Sequence, residues 1–392
     1  MQDDQRRRHV LICNWRDTRN PEGGGSERYV EQMARGLVAG GDRVTIFCAA
    51  HDEAPRDETV DGIRFVRGGT KLAVYAHAWA RLLLRRFGPV DLVVDVQNGI
   101  PFFTRLATRK PVVVVVHHVH REQWPIVYPG LTGRIGWWIE SRLSPRLYRS
   151  SQYVAVSQAT RDELVALGVS ATRIAVVHNG NDPIDEPPGP RSPDPSLVVV
   201  GRLVPHKRVE HAVDAVSALV EEFPRLHLHV VGGGWWHDEL AAYVAASGMQ
   251  AHVTLHGYVG EQVKHRTLAD AWVMLLPSLK EGWGLVVGEA GAHGVPTVAY
   301  AAAGGTRESV ADGESGLLAA DHADFIAAVG TVVRDDMLRE RLSKGAYEMS
   351  RSFGWPNSQR SFATVLDAAT RHHETDVVDP CEDRAPRRDL PA

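Results

Sequence analysis

Apolar and polar positions alternate along this 392-residue chain in a repeating rhythm. Short apolar runs lead into turns bearing glycine, serine or histidine. Segments with apolar residues at three- and four-residue spacing come next, and the two kinds read as buried strands and the helices that cover them. In the first half the predicted strands are 10–13, 44–48, 63–66, 92–96, 112–116, 153–156 and 174–177. The predicted helices there are 27–39, with Tyr29, Val30, Met33 and Leu37 on one face, 72–87, a short one at 102–108, and one opening at Ser157. The second half restarts the pattern with strands at 197–200, 226–231, 253–256, 273–276 and 297–299, and a closing strand within 313–318. Helices are expected at 209–220, 321–351 and 358–370. Strands alternating with helices imply parallel, doubly wound sheets.

One stretch breaks the rhythm. Pro183, Pro187, Pro188, Pro190, Pro193 and Pro195 crowd a segment that can be neither a helix nor a central strand. It reads as a linker, which suits a chain long enough for two domains. The expected organisation is a first α/β domain at 1–182, a linker at 183–196, a second α/β domain at 197–352, a final helix at 353–371 and a polar, disordered tail at 372–392.

Composition narrows the class. Apolar residues make up 44% of the chain, enough for sizeable cores, and a net charge of −4 argues against a general nucleic-acid binder. Cys13, Cys48 and Cys381 form no disulfide framework, which fits a reducing compartment such as the cytoplasm. The basic start is followed by an apolar run at 10–13 that is too short for a signal peptide, and no run approaches the ~20 apolar residues of a membrane span. The region from Trp124 to Arg149 mixes aromatic and basic residues. It reads either as a packed domain helix with a solvated basic face or as an amphipathic helix for an anionic membrane surface.

The chemistry concentrates at strand-to-helix turns. Glu281 and Glu289 are separated by seven residues, one in the turn before a helix and one about two helical turns further on. A ligand lying along this helix start would meet both carboxylates and the free N–H groups of Gly282, Trp283, Gly284 and Leu285. Carboxylates accept hydrogen bonds from hydroxyls, so the spacing suits a sugar at one end and a ribose at the other. Arg202 ends a strand and Lys207 precedes a helix, where both cations can serve a diphosphate without a metal. Gly24 and Gly25 open a helix after the first strand, with Ser26 as its cap, and allow close approach of a phosphate. The strand 112–116 is followed by His117, His118 and His120, which admit a metal site, a polar turn or a sugar-binding histidine.

The stretch Glu281-Gly282-Trp283-Gly284-Leu285…Glu289 resembles the Glu-x7-Glu motif of retaining glycosyltransferases of family 4, with Trp in place of the usual Phe. Gly201-Arg202-Leu203…Lys207 is similar to that family's Gly-Arg-Leu…Lys signature. The resemblance runs from Val10 to about Thr370. It implies a GT-B fold, two Rossmann-like domains facing across a cleft, with the last helix crossing back to the first domain. It also implies a hexosyltransferase that takes a nucleotide-diphosphate sugar, needs no cofactor or metal, and works by a same-face displacement. In that picture His117 contacts the transferred sugar, with His118 the alternative. Arg202, Lys207 and Glu281 act on the diphosphate and sugar, and Glu289 on the ribose. Tyr258 and Val259 border the base, and Gly305 lies near the donor. The expected acceptor is a glycolipid or cell-envelope glycan precursor of a bacterium, met at the inner face of the membrane. The other readings are a nucleotide-sugar epimerase or phosphorylase on the same architecture, or a dinucleotide-binding oxidoreductase. The last would want G-x-G-x-x-G after the first strand, and that loop is different.

Overall fold

The computed structural model describes residues 7–182, 184 and 189–377. Its first sheet contains β1 (His9–Cys13), β2 (Arg43–Cys48), β3 (Asp57–Val60), β4 (Ile63–Arg67), β5 (Leu92–Gln97), β6 (Val112–Val116), β7 (Gln152–Ala155) and β8 (Ile174–Val176). The order is β3-β4-β2-β1-β5-β6-β7-β8, and every neighbouring pair is parallel except β3–β4. The second sheet contains β9 (Ser196–Val200), β10 (His227–Val231), β11 (Val253–Gly257), β12 (Val273–Leu276), β13 (Thr297–Tyr300) and β14 (Gly316–Ala319). Its order is β11-β10-β9-β12-β13-β14, parallel throughout. The five valines of β6 are buried on both faces, as a central parallel strand requires. Each sheet carries apolar clusters, one running through Leu11, Val114 and Tyr153, another through Val10, Tyr29 and Val154, and a third through Leu197, Val213 and Leu275.

Several elements differ from the sequence expectation. β3 pairs with β4 as an antiparallel hairpin whose turn residues, Asp61 and Gly62, both have positive φ. That Asp-Gly pair is a strong hairpin signal that apolar spacing alone does not reveal. The helix expected at 72–87 is Ala73–Leu83, and Phe87 packs edge-on against Phe47 instead. The helix expected at 102–108 shrinks to one 3-10 turn, Thr104–Leu106. The buried carboxylate of Asp95 accepts from the backbone N–H groups of Phe102 and Thr104 at 2.8 and 3.0 Å, which replaces helical partners with a side-chain one. Gln123–Val127 is a short helix, and Leu131–Trp138 continues without a break through a wide, π-helical turn, Ile139–Leu143, into Ser144–Leu147.

The final helix, Trp355–Val377, starts before 358 and runs through residues expected to belong to the tail; residues 378–392, Cys381 among them, lie outside the described residues, as do residues 183 and 185–188 of the proline-rich stretch. This helix lies on the first domain. Trp355, Phe362, Leu366 and Ala369 join the apolar cluster of Val10, Tyr29, Met33 and Val154. Gly36 approaches Gln359 so closely that a Cβ there would come within 2.5 Å of the Gln359 Cβ.

Candidate functional site

Both sheets reverse winding direction at their first strand, β1 between β2 and β5, and β9 between β10 and β12. The crevice outside the carboxyl ends of strands at such a point is where open α/β sheets bind ligands. The two crevices face each other and the domains touch at their rims. A Cβ on Gly282 would stand 2.2 Å from the carbonyl oxygen of His117, an approach that only glycine permits. Gly25 likewise sits 3.0 Å, measured from its would-be Cβ, from Leu285 Cδ1.

On the second-domain side, three turns are knitted together. Leu279 N–H donates to His206 O at 2.8 Å, and Glu281 N–H to Ala303 O at 2.7 Å. Lys207 ends a 3-10 turn, Pro205–Lys207, and Arg208 follows with a φ of 49°, so the expected helix at 209–220 begins at Glu210. Proline favours opening that turn and a left-handed residue closes it, which leaves Lys207 in a loop rather than at a helix start. Its Nζ lies 2.5 Å from Glu281 Oε1. Glu289, on the helix Leu285–Ala292, receives Lys264 Nζ at 3.0 Å and Arg28 Nη1, from the first domain, at 3.3 Å. Gly305 packs on the main chain of Gly282, where a Cβ would meet the carbonyl at 2.0 Å.

Three other donor-side residues stand apart from this group. Arg202 does not share a partner with Lys207; its Nη1 donates to the carbonyl of Glu22, in the loop after β1, at 3.1 Å. Its long side chain is exposed on its own domain, so a bare carbonyl across the cleft captures it. The Trp283 ring is buried between His178 and Phe353, with centroids 4.7 and 4.9 Å away, and belongs to the first domain's apolar cluster. A large aromatic gains most from such burial, so only its main chain is left to face a ligand. The ring of Tyr258 is 81% exposed beyond the end of β11, beside a partly buried Val259.

On the first-domain side, His117 is buried with its ring edge-on to Tyr29 at 5.3 Å, and its Nε2 has no partner among the described residues. Burial, with His120 adding to it, pushes its pKa down to about 3, so the ring is neutral at ordinary pH. His118 Nε2 meets Gln123 Oε1 at 3.1 Å, and its ring lies 4.1 Å from that of His120. His120 Nδ1 is 3.0 Å from Glu140 Oε1, and Glu140, fully buried, also accepts from Trp124 Nε1 at 2.6 Å. Glu140 lies on the wide turn Ile139–Leu143 and belongs to no motif, which is why sequence reasoning passed it over.

The glycine loop is held by its own acids. The Gly24 N–H and the Ser26 hydroxyl both donate to Glu27 Oε2 at 2.8 Å, so Gly24, not Ser26, caps the helix Gly25–Ala39. A glutamate three residues inside the helix reaches the cap N–H, and Ser26 is left inside the first turn. Asp17 anchors the loop, receiving Arg67 Nε at 2.5 Å, His51 Nε2 at 2.9 Å and Asn20 N–H at 3.0 Å. Burial lowers the pKa of Arg16; Glu27 opposes that shift and Arg202 adds to it.

Charged latches join the rims. Glu308 of the second domain accepts from the N–H groups of Gln158 and Ala159 at 2.8 and 3.0 Å, serving the N-terminus of the helix Gln158–Ala166 in the first. Lys280 of the second domain pairs with Glu163 of the first, and within the first domain Arg28 pairs with Asp182. Among the described residues no group of three or more His, Cys, Asp or Glu is arranged to hold a metal ion. What the cleft offers instead is cations, main-chain N–H groups, two hydroxyl-accepting carboxylates and a neutral histidine, a set suited to a phosphorylated sugar.

Comparison with known proteins places this geometry. The family model described as Glycosyltransferase Family 4 matches residues 23–185, and that described as Glycosyl transferases group 1 matches residues 181–349. The D-inositol 3-phosphate glycosyltransferase of Nocardioides sp. is 29% identical over 411 residues, covering 89% of this chain and 86% of that protein. The sucrose-phosphate synthase of Thermosynechococcus elongatus has the same fold, with a TM-score of 0.77 at 18% identity over 93% of this chain and all of the other (100%). Anabaena HepE, solved in complex with UDP and glucose, has a TM-score of 0.71 at 18% identity, covering 92% of this chain and 100% of HepE.

Proposed function

This chain belongs to glycosyltransferase family 4 and has the GT-B fold, and from that premise we propose that it moves a hexose from a nucleotide-diphosphate sugar to an acceptor hydroxyl, with retention and without a metal. The observation that carries the reading is the convergence of Lys207, Glu281 and Glu289 on one crevice, 2.5 Å separating the first two. Glu289 holds the ribose hydroxyls, its carboxylate kept in place by Lys264 and Arg28. Lys207 and Arg202 take the diphosphate, the leaving group, whose charge grows as the bond to the sugar breaks. The N–H groups of Gly282 to Leu285 face the same charge at a helix start. Glu281 and the free Nε2 of neutral His117 position the sugar hydroxyls. The bond from the anomeric carbon to the acceptor oxygen forms on the face the phosphate leaves, and the departing phosphate receives the acceptor's proton. The HepE complex supports a uridine nucleotide as the first donor to try.

The acceptor side favours a membrane-bound glycan precursor met at the inner membrane face. No helix of the described residues is long and apolar enough to cross a membrane. The helix Leu131–Trp138, however, turns its glycines inward, Gly133 and Gly136 buried against Trp124, and leaves Leu131, Ile135 and Trp138 exposed on one face beside Arg134. That inversion suits a lipid surface. Sedimentation with anionic vesicles at low salt is expected to carry the protein down, and less of it with Trp138→Ser; a protein that stays in the supernatant refutes the contact.

The primary test is binding and hydrolysis across UDP-, GDP- and ADP-sugars, with and without EDTA. One donor is expected to bind selectively, to be indifferent to EDTA and to be lost in Glu289→Ala. A wild-type protein that binds no nucleotide sugar overturns the assignment.

A further inference from the structure

Glu22, in the loop after β1, is where three cations from both domains meet. Arg16 Nη1 donates to its carbonyl oxygen and lies 3.5 Å from its Oε2. Arg202 Nη1 donates to the same carbonyl at 3.1 Å, and Lys71 Nζ lies 3.8 Å from Oε2. The two first-domain cations are fixed by one ring. The Arg16 guanidinium lies 4.1 Å from the centroid of Trp15 and Lys71 Nζ 5.3 Å from it, while the Trp15 N–H donates to the Lys71 carbonyl at 2.9 Å. None of these residues belongs to the donor motifs except Arg202.

The match between cations and anion is poor. The Arg16 side chain is only 10% exposed, yet its acidic partner is 61% exposed and holds it at the long end of an ion pair. Glu27 adds its charge to that of Glu22 only through space, and burying a guanidinium with no closer carboxylate is costly. Glu22 supplies one carboxylate for Arg16 and Lys71 and only a main-chain oxygen for Arg202. A phosphate group offers three oxygens and up to two charges, enough to serve all three. Glu22 lies beyond the point where Asp17 anchors the loop, so it can leave without unfolding the anchor.

We propose that Glu22 is a placeholder, and that Arg16 and Lys71, with Arg202 at their edge, bind a phosphate group carried by the acceptor. The inference rests on the glycosyl-transfer reading above and deepens it. It puts the acceptor's charge on the first domain, next to the residue that handles the donor's diphosphate. Glycosylation then requires a phosphate-bearing polyol, sugar or lipid headgroup rather than a neutral one.

Titration of the full-length protein with inorganic phosphate, in saturating UDP, tests this. UDP occupies the donor's diphosphate site, so the phosphate signal reports the second one. Glu22→Gln is expected to bind phosphate about tenfold more tightly than wild type, and Arg16→Gln about tenfold more weakly, the weight of one charge-assisted contact. Lys71→Met, a change at an exposed side chain, repeats the loss should Arg16→Gln fail to fold. Phosphate affinity that is the same in wild type, Glu22→Gln and Lys71→Met overturns the proposal. UDP that fails to bind on its own counts against the donor reading and is seen separately, because the Glu22→Gln and Lys71→Met responses still decide the phosphate site. Competition then identifies the carrier. Displacement of phosphate by glycerol 1-phosphate supports a soluble acceptor, displacement by phosphatidylglycerol vesicles supports a lipid headgroup, and displacement by neither overturns the site.

Discussion

In the second domain most of the cleft residues come from the turns and helix starts that follow three neighbouring strands, β9, β12 and β13, with Tyr258 and Lys264 added from beyond β11. In the first domain they come from points as distant as Arg16, Lys71, His117 and Glu140. The apolar interiors differ in the same direction. The second domain's large cluster draws only on residues between Leu197 and Leu342. The first domain's cluster borrows Trp283 from the second domain, and Trp355, Phe362 and Leu366 from the end of the chain. One half is close to a self-contained module. The other is assembled by tertiary contact, both in its core and in its binding surface.

The sharpest way to break that contrast is Trp355→Ala. The ring is 5% exposed within the first domain's cluster, and removing it is expected to cost about 3–5 kcal/mol. Hydrogen exchange read by mass spectrometry should show β1, β5 and β6 losing protection while β9 and β12 keep theirs. Equal loss in both sheets would mean that the domains share one cooperative unit and that the contrast is superficial.

Acid gives a gentler test. Burial pushes His206, His229 and His293 in the second domain down to about 4 and lowers His211 and His227 there, while in the first domain it pushes His117 down to about 3 and lowers His118 and His9. Unfolded histidines take up protons near 6.5, so the unfolded chain binds more protons than the fold in that range. The stability from these groups is complete above about pH 6.5 and is lost as pH falls toward 4. In the first domain, burial raises the carboxyls of Asp95 and Glu31, which bind protons more readily in the fold and so act in the opposite sense. Exchange at pH 5 is therefore expected to open the second sheet more than the first, relative to pH 7. An equal or reversed change would show that histidine burial does not set the acid response.

The legibility of the chain follows the same division. Parallel strands announce themselves by apolar runs such as the five valines of β6, and the Glu281–Glu289 spacing is local enough to read. The hairpin turn at Asp61 and Gly62, the Trp283 ring captured by His178 and Phe353, and Arg202 reaching Glu22 all depend on what folds against them. Glu140 shows the limit most clearly. A lone glutamate in an aromatic and basic stretch carries no local signal, and only the fold brings it to His120 and Trp124.

The helix Trp355–Val377 also imposes an order of events on synthesis. A ribosome adds about 5–20 residues per second, so roughly 10–40 s pass between completing β8 at Val176 and releasing the helix that covers the first sheet. Through that interval Tyr29, Met33 and Val154 lack the apolar side chains that bury them in the finished protein. The first domain therefore emerges with part of its apolar cluster uncovered, and that surface closes only once the last helix has been made.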